Sequence, residues 1–155
     1  MGEYDGSGQL VAFEVDGHAY ALPLACVDEV VRMVAVTPVP AGPDWLAGVV
    51  NLRGRSIPII DLRPRLGLAP TEADPSAVFV VASKGDRTVG VLADAVIEVL
   101  TVLPAEIERP DTMIAGEGIV TAVARSARGV VLVLDLDRLS AGAEVIDVGG
   151  GEPPW

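Results

Sequence analysis

Apolar and polar residues alternate along most of this chain with a period of two, and turn-forming pairs break the runs. That pattern predicts hairpins rather than helices. Leu10, Val11, Phe13 and Val15 lead to Asp16-Gly17, and Tyr20, Leu22 and Leu24 return from it. An Asp-Gly pair accepts the left-handed backbone of a two-residue hairpin turn. Pro23 ends the returning strand, residues 24–27 read as one helical turn, and Val30, Val31, Met33, Val34 and Val36 read as a long strand. Three prolines and a glycine make residues 37–43 a loop, with Trp45 placed beneath it as a core plug.

The second hairpin, residues 48–62, organises the rest. Gly48-Val49-Val50-Asn51-Leu52 runs up to Arg53-Gly54, and Ile57 and Ile59 return between Ser56, Pro58 and Ile60. Gly54 suits the positive φ of the turn. Pro58 cannot donate to a ladder, which predicts an edge strand or a strand with one bulged side. Asp61 is placed as the cap of a short helix that carries Leu62 and Leu66 and stops at Gly67. Residues 69–76 form a Pro-rich connector.

The pattern then repeats. At an offset of 69, Tyr20 falls on Val89, Leu22 on Val91, Val27 on Val96, Glu29 on Glu98 and Val30 on Val99. The closing hairpin repeats too: Gly118-Ile119-Val120 matches Gly48-Val49-Val50, and residues 131–136 match 57–62. The offset drifts to 74 across a turn at 125–129 read as longer. Two copies of one unit are expected, each with about five strands, the element list of a small closed barrel.

Composition narrows the function. Half of the 155 residues are hydrophobic but only 4% are aromatic, so the core must be built from Val, Leu, Ile and Ala. The formal charge of −11 repels phosphate backbones and anionic headgroups, which argues against nucleic acid and against direct membrane contact. No apolar run approaches the ~20 residues needed to span a bilayer, and the first residues carry no leader pattern, so a cytoplasmic protein is expected. His18 is the only histidine and falls in a surface turn; Cys26 is the only cysteine and lies in apolar sequence. No catalytic set, metal cage or phosphate-cradling loop can be assembled, so no enzyme activity, metal or cofactor is expected. What remains is surface: Asp28, Glu29 and Arg32 on one strand with Arg53 on the next hairpin, and aliphatic residues in excess of what one thin barrel can hide. A groove of that kind accepts helices.

Several of these strings resemble the CheW family of chemotaxis coupling proteins. They are residues 10–17 with Tyr20; Val27-Asp28-Glu29-Val30; the loop to Trp45 with Gly48-Val49-Val50-Asn51-Leu52-Arg53-Gly54; and Ile57-Pro58-Ile59-Ile60-Asp61-Leu62. In the second half, residues 89–96 with Val99-Leu100 and residues 132–139 carry the likeness. The resemblance spans about residues 9–140. It implies a mainly β fold of two SH3-like five-stranded β-barrels packed side by side, the first over about 10–67 and the second over about 77–140. The chain has the option of exchanging between them, and 1–8 and 147–155 are flexible tails. It implies a non-enzymatic adaptor at receptor arrays on the inner face of the membrane. That adaptor would link the cytoplasmic tip of a chemoreceptor to the regulatory domain of a CheA-type histidine kinase. Carried over position by position, Val27, Gly90, Val96 and Val99 line the receptor groove, with Glu29 and Arg53 as the acid and base beside it. Kinase contact falls on Glu108, Arg109 and Met113. The rival readings are a scaffold of another chemosensory pathway, the excised regulatory domain of a kinase, and a small ligand-binding barrel or enzyme.

Overall fold

A computed structural model describes residues 6–69, 75–109, 118–127 and 129–143. The first half carries β1 (Gly8–Val15), β2 (His18–Pro23), a 3-10 turn (Leu24–Cys26), β3 (Val27–Arg32), β4 (Leu46–Leu52), β5 (Arg55–Asp61) and helix α1 (Leu62–Arg65). The second carries β6 (Val78–Lys84), β7 (Arg87–Ala93), β8 (Ala95–Val102), a 3-10 turn (Pro104–Glu106), β9 (Ile107–Glu108), β10 (Val120–Ser126), β11 (Gly129–Leu134) and α2 (Leu136–Leu139). Asp16 (φ 54°) with Gly17 (78°), and Arg53 (54°) with Gly54 (82°), give both hairpins the double positive φ that matches strand twist. Asp61 and Asp135 cap the two helices through the backbone N–H of Arg63 and Arg138, at 3.0 and 3.2 Å.

The fold is mainly β, built as two sheets of one topology. One has the order β3-β6-β7-β5-β4, the other β8-β1-β2-β11-β10-β9. The repeat holds register by register: Val30 pairs Val80 as Val99 pairs Val11, and Ile59 pairs Gly90 in parallel as Val133 pairs Ala21. Each sheet curls back on itself. Thr37, beyond β3, exchanges two hydrogen bonds with Val49 of β4, at 2.9 and 2.8 Å. Beyond β8, the two-residue β9 pairs β10 in the same place and makes that sheet six-stranded rather than five.

The sheets do not follow the boundary of the repeat. The five-stranded sheet is contiguous, from β3 to β7, whereas the six-stranded sheet joins β1 and β2 to β8–β11. The chain therefore passes between sheets twice, at Leu24–Cys26 and at Asp94. Three local expectations also change, and a fourth is met in its second form. Pro58 lies on β5, an internal strand between β7 and β4 rather than an edge, and the bulge falls in its pairing with β4, between Leu46 and Gly48; the parallel pairing to β7 starts only at Ile59, which spares the ladder its missing N–H. Gly6 is buried and Gly8 opens β1, so residues 6–8 are not a tail. A Cβ on Gly6 would stand 2.5 Å from the Cβ of Ala122. Residues 1–5 and 147–155 lie outside the described residues. The closing hairpin has no longer turn: Ser126 pairs Gly129 as Leu52 pairs Arg55, and Asp135 N–H bonds Ile119 O as Asp61 N–H bonds Trp45 O, at 2.8 Å in each case. The offset there is 74 throughout, which sets Gly48 against Ala122, not Gly118. β3 ends at Arg32, short of the long strand expected.

Strands buried on both faces explain the apolar excess. In β6, Phe79 and Val81 point into the five-stranded sheet's own core while Val80 and Ala82 point to the seam between the sheets. Ala21 and Val133 face the other interior, with Tyr20, Leu22 and Leu134 on the seam. Among the described residues, the seam cluster holds seventeen buried residues against seven in each interior. At about 1.5–3 kcal/mol for each large side chain buried, the seam outweighs either barrel core, so the two sheets form one cooperative body. Trp45 is half-buried on this cluster with the Arg65 guanidinium 4.7 Å above its ring, rather than a plug under a loop.

Candidate functional site

β3 and β4 are the two edges of the five-stranded sheet, and the Arg53-Gly54 turn brings Arg53 across the gap between them. Its Nη1 donates to Glu29 Oε2 at 2.7 Å. Arg53 is 75% exposed and Glu29, partly buried, 25%, so the pair sits at the surface within reach of solvent screening and is worth about 0–1 kcal/mol of stability. Its effect is on shape: it fixes the tip against β3. Asn51 Oδ1 accepts from Gly54 N–H at 3.1 Å and stiffens the turn.

A polar belt continues from there across the same end of the sheet. Ser83 Oγ on β6 donates to Asp28 Oδ2 on β3, Thr88 Oγ1 on β7 lies 3.0 Å from Ser83 Oγ, and Arg55 Nη2 on β5 donates to Thr88 Oγ1 at 3.1 Å. With Glu29, Arg53, Leu52 and Ile57 these residues line an open depression of about 500 Å³. Its charged lining is Asp28, Glu29 and Asp86 against Arg53 and Arg55, so acid and base nearly balance at this end of an acidic chain.

The remaining groove candidates lie on β3, β7 and β8. Val27 begins β3, pairs Ala82 and packs on the seam cluster. Its repeat mate Val96, near the start of β8, pairs the seam residue Phe13 and is 38% exposed; Val99 on the same strand is 51% exposed. Gly90 differs: it is buried inside β7, where a Cβ would stand 2.6 Å from Ile59 Cδ1, so what it offers is room for packing. The structure thus brings Glu29 and Arg53 together, places Val27 on the seam and its repeat mate Val96 exposed near the start of β8, and sets Gly90 beneath the surface.

At the other sheet, Glu108 on β9 accepts from Arg125 Nη2 at 2.5 Å, both side chains exposed, and Arg109 is exposed next to it. This pair ties β9 to β10 much as Glu29–Arg53 ties β3 to the β4–β5 tip. Met113 lies outside the described residues. Cys26 is half-buried; burial first, then Asp137 and Asp28, push its thiol up, with Lys84 acting in the opposite sense. Burial also raises the Tyr20 phenol. Among the described residues, no three of His, Cys, Asp and Glu are grouped to hold a metal ion. No helix among them is long and apolar enough to cross a membrane.

Arg63 and Asp94 were missed by sequence reasoning. Arg63, 4% exposed, donates from Nη2 to Asp94 Oδ1 at 2.7 Å. The first residues of α1 carry a periodic apolar signal in which an arginine reads as solvent-facing, and nothing local marks a partner 31 positions away.

Comparison with known proteins agrees with this architecture. The scaffolding protein TtCheW from Thermoanaerobacter tengcongensis, known from a crystal structure, superposes with a TM-score of 0.79 at 28% identity, over 96% of this chain and 98% of that one. A chemotaxis protein CheW of Treponema pallidum is 30% identical over 151 residues, 94% of this chain and 89% of its own length. A probable chemotaxis protein CheW of Rhizobium etli is 39% identical over 114 residues, 72% of each chain. The model of the CheW-like domain matches residues 9–144, and the chain belongs to that family of chemotaxis adaptor proteins.

Proposed function

We propose that this chain is a non-enzymatic scaffold holding the cytoplasmic tip of a chemoreceptor and the regulatory domain of a CheA-type histidine kinase in one array beneath the membrane. The observation that carries the reading is the Glu29–Arg53 pair, which fixes an exposed hairpin tip at the edge of the sheet while contributing little to stability. Val27, Val96 and Val99 supply the apolar contact for a helical tip; the exposure of Val96 and Val99 on β8, and the position of Val27 at the start of β3, support it. Gly90 acts from below by keeping Ile59 in place. Glu108 and Arg109 form the surface offered to the kinase, with Met113 in the same sequence segment. The mechanism is binding alone: a receptor movement biases the kinase to the extent that the scaffold contacts its two arrangements differently.

The test is co-sedimentation of the chain with a receptor tip and with a kinase regulatory domain, repeated with Arg53→Glu and Val99→Asp. Both variants are expected to keep the fold by circular dichroism and to lose receptor binding by tenfold or more, about 1.4 kcal/mol. Unchanged binding in both would overturn the site, and a parent protein that binds neither partner would overturn the function.

A further inference from the structure

We infer that Asp94 and Arg63 form a positioning clasp that sets β8, and with it the proposed receptor-contact valines, at a fixed place against the five-stranded sheet. Asp94 is the one residue between β7 and β8, and so one of the two points where the chain changes sheets. Three bonds converge on it. Oδ1 accepts from Arg63 Nη2 at 2.7 Å, Oδ2 accepts from the backbone N–H of Asp16 at 2.8 Å, and its own N–H donates to Glu14 O at 2.8 Å. Arg63 belongs to the helix that follows β5 of one sheet; Glu14 and Asp16 belong to β1 and the β1–β2 turn of the other. One carboxylate therefore joins both sheets at the crossover, and Val96 stands two residues beyond it.

The repeat supplies an internal control. The other crossover, Leu24–Cys26, is a 3-10 turn with no buried residue, and Ala25 occupies the position equivalent to Asp94 at the offset of 69. The position equivalent to Arg63 at the offset of 74 is Asp137, which bonds Lys84 instead. The other crossover is thus joined beside it by the exposed Lys84–Asp137 pair rather than by a buried arginine on the crossover residue, so the fold does not require this particular clasp. Nor is a buried ion pair needed for stability, since apolar or neutral groups of like shape commonly serve as well. The chain nonetheless keeps a guanidinium with a side-chain exposure of 5% at this joint. A charged, directional contact fixes distance and angle, which a greasy contact does not, and it does so on the side that leads into Val96 and Val99.

The inference rests on the reading of those valines as receptor contacts, and two measurements separate the two claims. The first compares receptor-tip binding by the parent and by Arg63→Met/Asp94→Asn. The double variant leaves no unpaired buried charge, and its asparagine still accepts from Asp16. It is expected to melt close to the parent yet bind roughly 5- to 30-fold more weakly. The second, independent of any partner, places spin labels at the exposed positions Thr101 on β8 and Ser56 on β5, with Cys26→Ser as background. The distance distribution between the sheets is expected to broaden or shift in the double variant. A parent that binds while the variant binds equally well, with an unchanged distribution, overturns the clasp. A parent that does not bind overturns the receptor reading, and the spin-label distances then decide the clasp alone.

Discussion

Replacing Gly48 by alanine tests the closure of the five-stranded sheet more sharply than any other single change. Gly48 has φ 147° and sits where β4 bulges against the chain that continues β3. A Cβ there would meet the carbonyl oxygen of Thr37, with Val36 Cγ1 at 2.6 Å and the Thr37 carbonyl carbon at 2.8 Å. Backbone cannot swing aside as a side-chain tip can, so residues 36–37 must move, and the two Thr37–Val49 hydrogen bonds go with them. Those bonds are worth about 1 kcal/mol each, and the strained φ adds about 1–3 kcal/mol. The expected cost is roughly 3–5 kcal/mol, a large share of the ~5–15 kcal/mol that holds a domain of this size. Gly54→Ala is the control, because Gly54 also has positive φ (82°) but open space around its Cβ position; about 1–2 kcal/mol is expected. Urea denaturation gives both values, and hydrogen exchange at the Thr37 and Val49 amides reports the link directly. A Gly48→Ala variant within about 1 kcal/mol of Gly54→Ala, with both amides still protected, would refute the reasoning.

Asp61→Ala and Asp135→Ala each remove the side-chain cap of a four-residue helix and should each cost about 1 kcal/mol in the denaturation midpoint; no change in either would show that packing on the seam alone holds these turns. Stability should fall from about pH 9 upward, because folded Tyr20 and Cys26 keep protons that the unfolded chain releases. Lys84 acts in the same direction. Its hydrogen bond to Asp137 raises its pKa, so its contribution is full below the unfolded value and is lost as pH rises through the folded one. Urea midpoints across this range, with Cys26→Ser flattening the early part of the fall, check the assignment; midpoints that hold steady or rise would contradict it.

Turns and strands were largely legible because they are written locally. Asp16-Gly17 and Arg53-Gly54 carry the residues their backbone demands, and Tyr20 and Val89 stand at equivalent places on β2 and β7, as the offset of 69 implies. Sheet membership was not legible, since two copies with the same registers offer β1 and β6 equivalent partners, and apolar pattern does not distinguish them. The match of Gly118 to Gly48 failed for a related reason: it aligned residue types, whereas the hydrogen bonds align Trp45 with Ile119. Gly6 looked like tail because glycine signals both freedom and close approach, and only the neighbouring Ala122 separates the two. At the candidate site, Glu29 and Arg53 stood out as opposite charges on neighbouring elements, the family strings paired them, and the geometry joins them. Gly90 came from the same source, but its burial was invisible without Ile59 above it, and Asp94 gave no local sign of the arginine it meets.

The contiguity of the five-stranded sheet has a consequence for how the chain is made. During synthesis the hairpin β1–β2 emerges first and then waits, its edges bare, while β3 to β7 are produced and close on one another. Only when β8 and β11 follow does the hairpin gain a neighbour on either side. The contiguous sheet is thus the template, and the strands that flank it in sequence meet over it late, so the pairing of β1 and β2 with β8 and β11 is the slow, high-contact-order step. Until that step a short apolar hairpin is the part most open to pairing with another nascent chain, a hazard answered in part by its brevity and by the acidic surface around it.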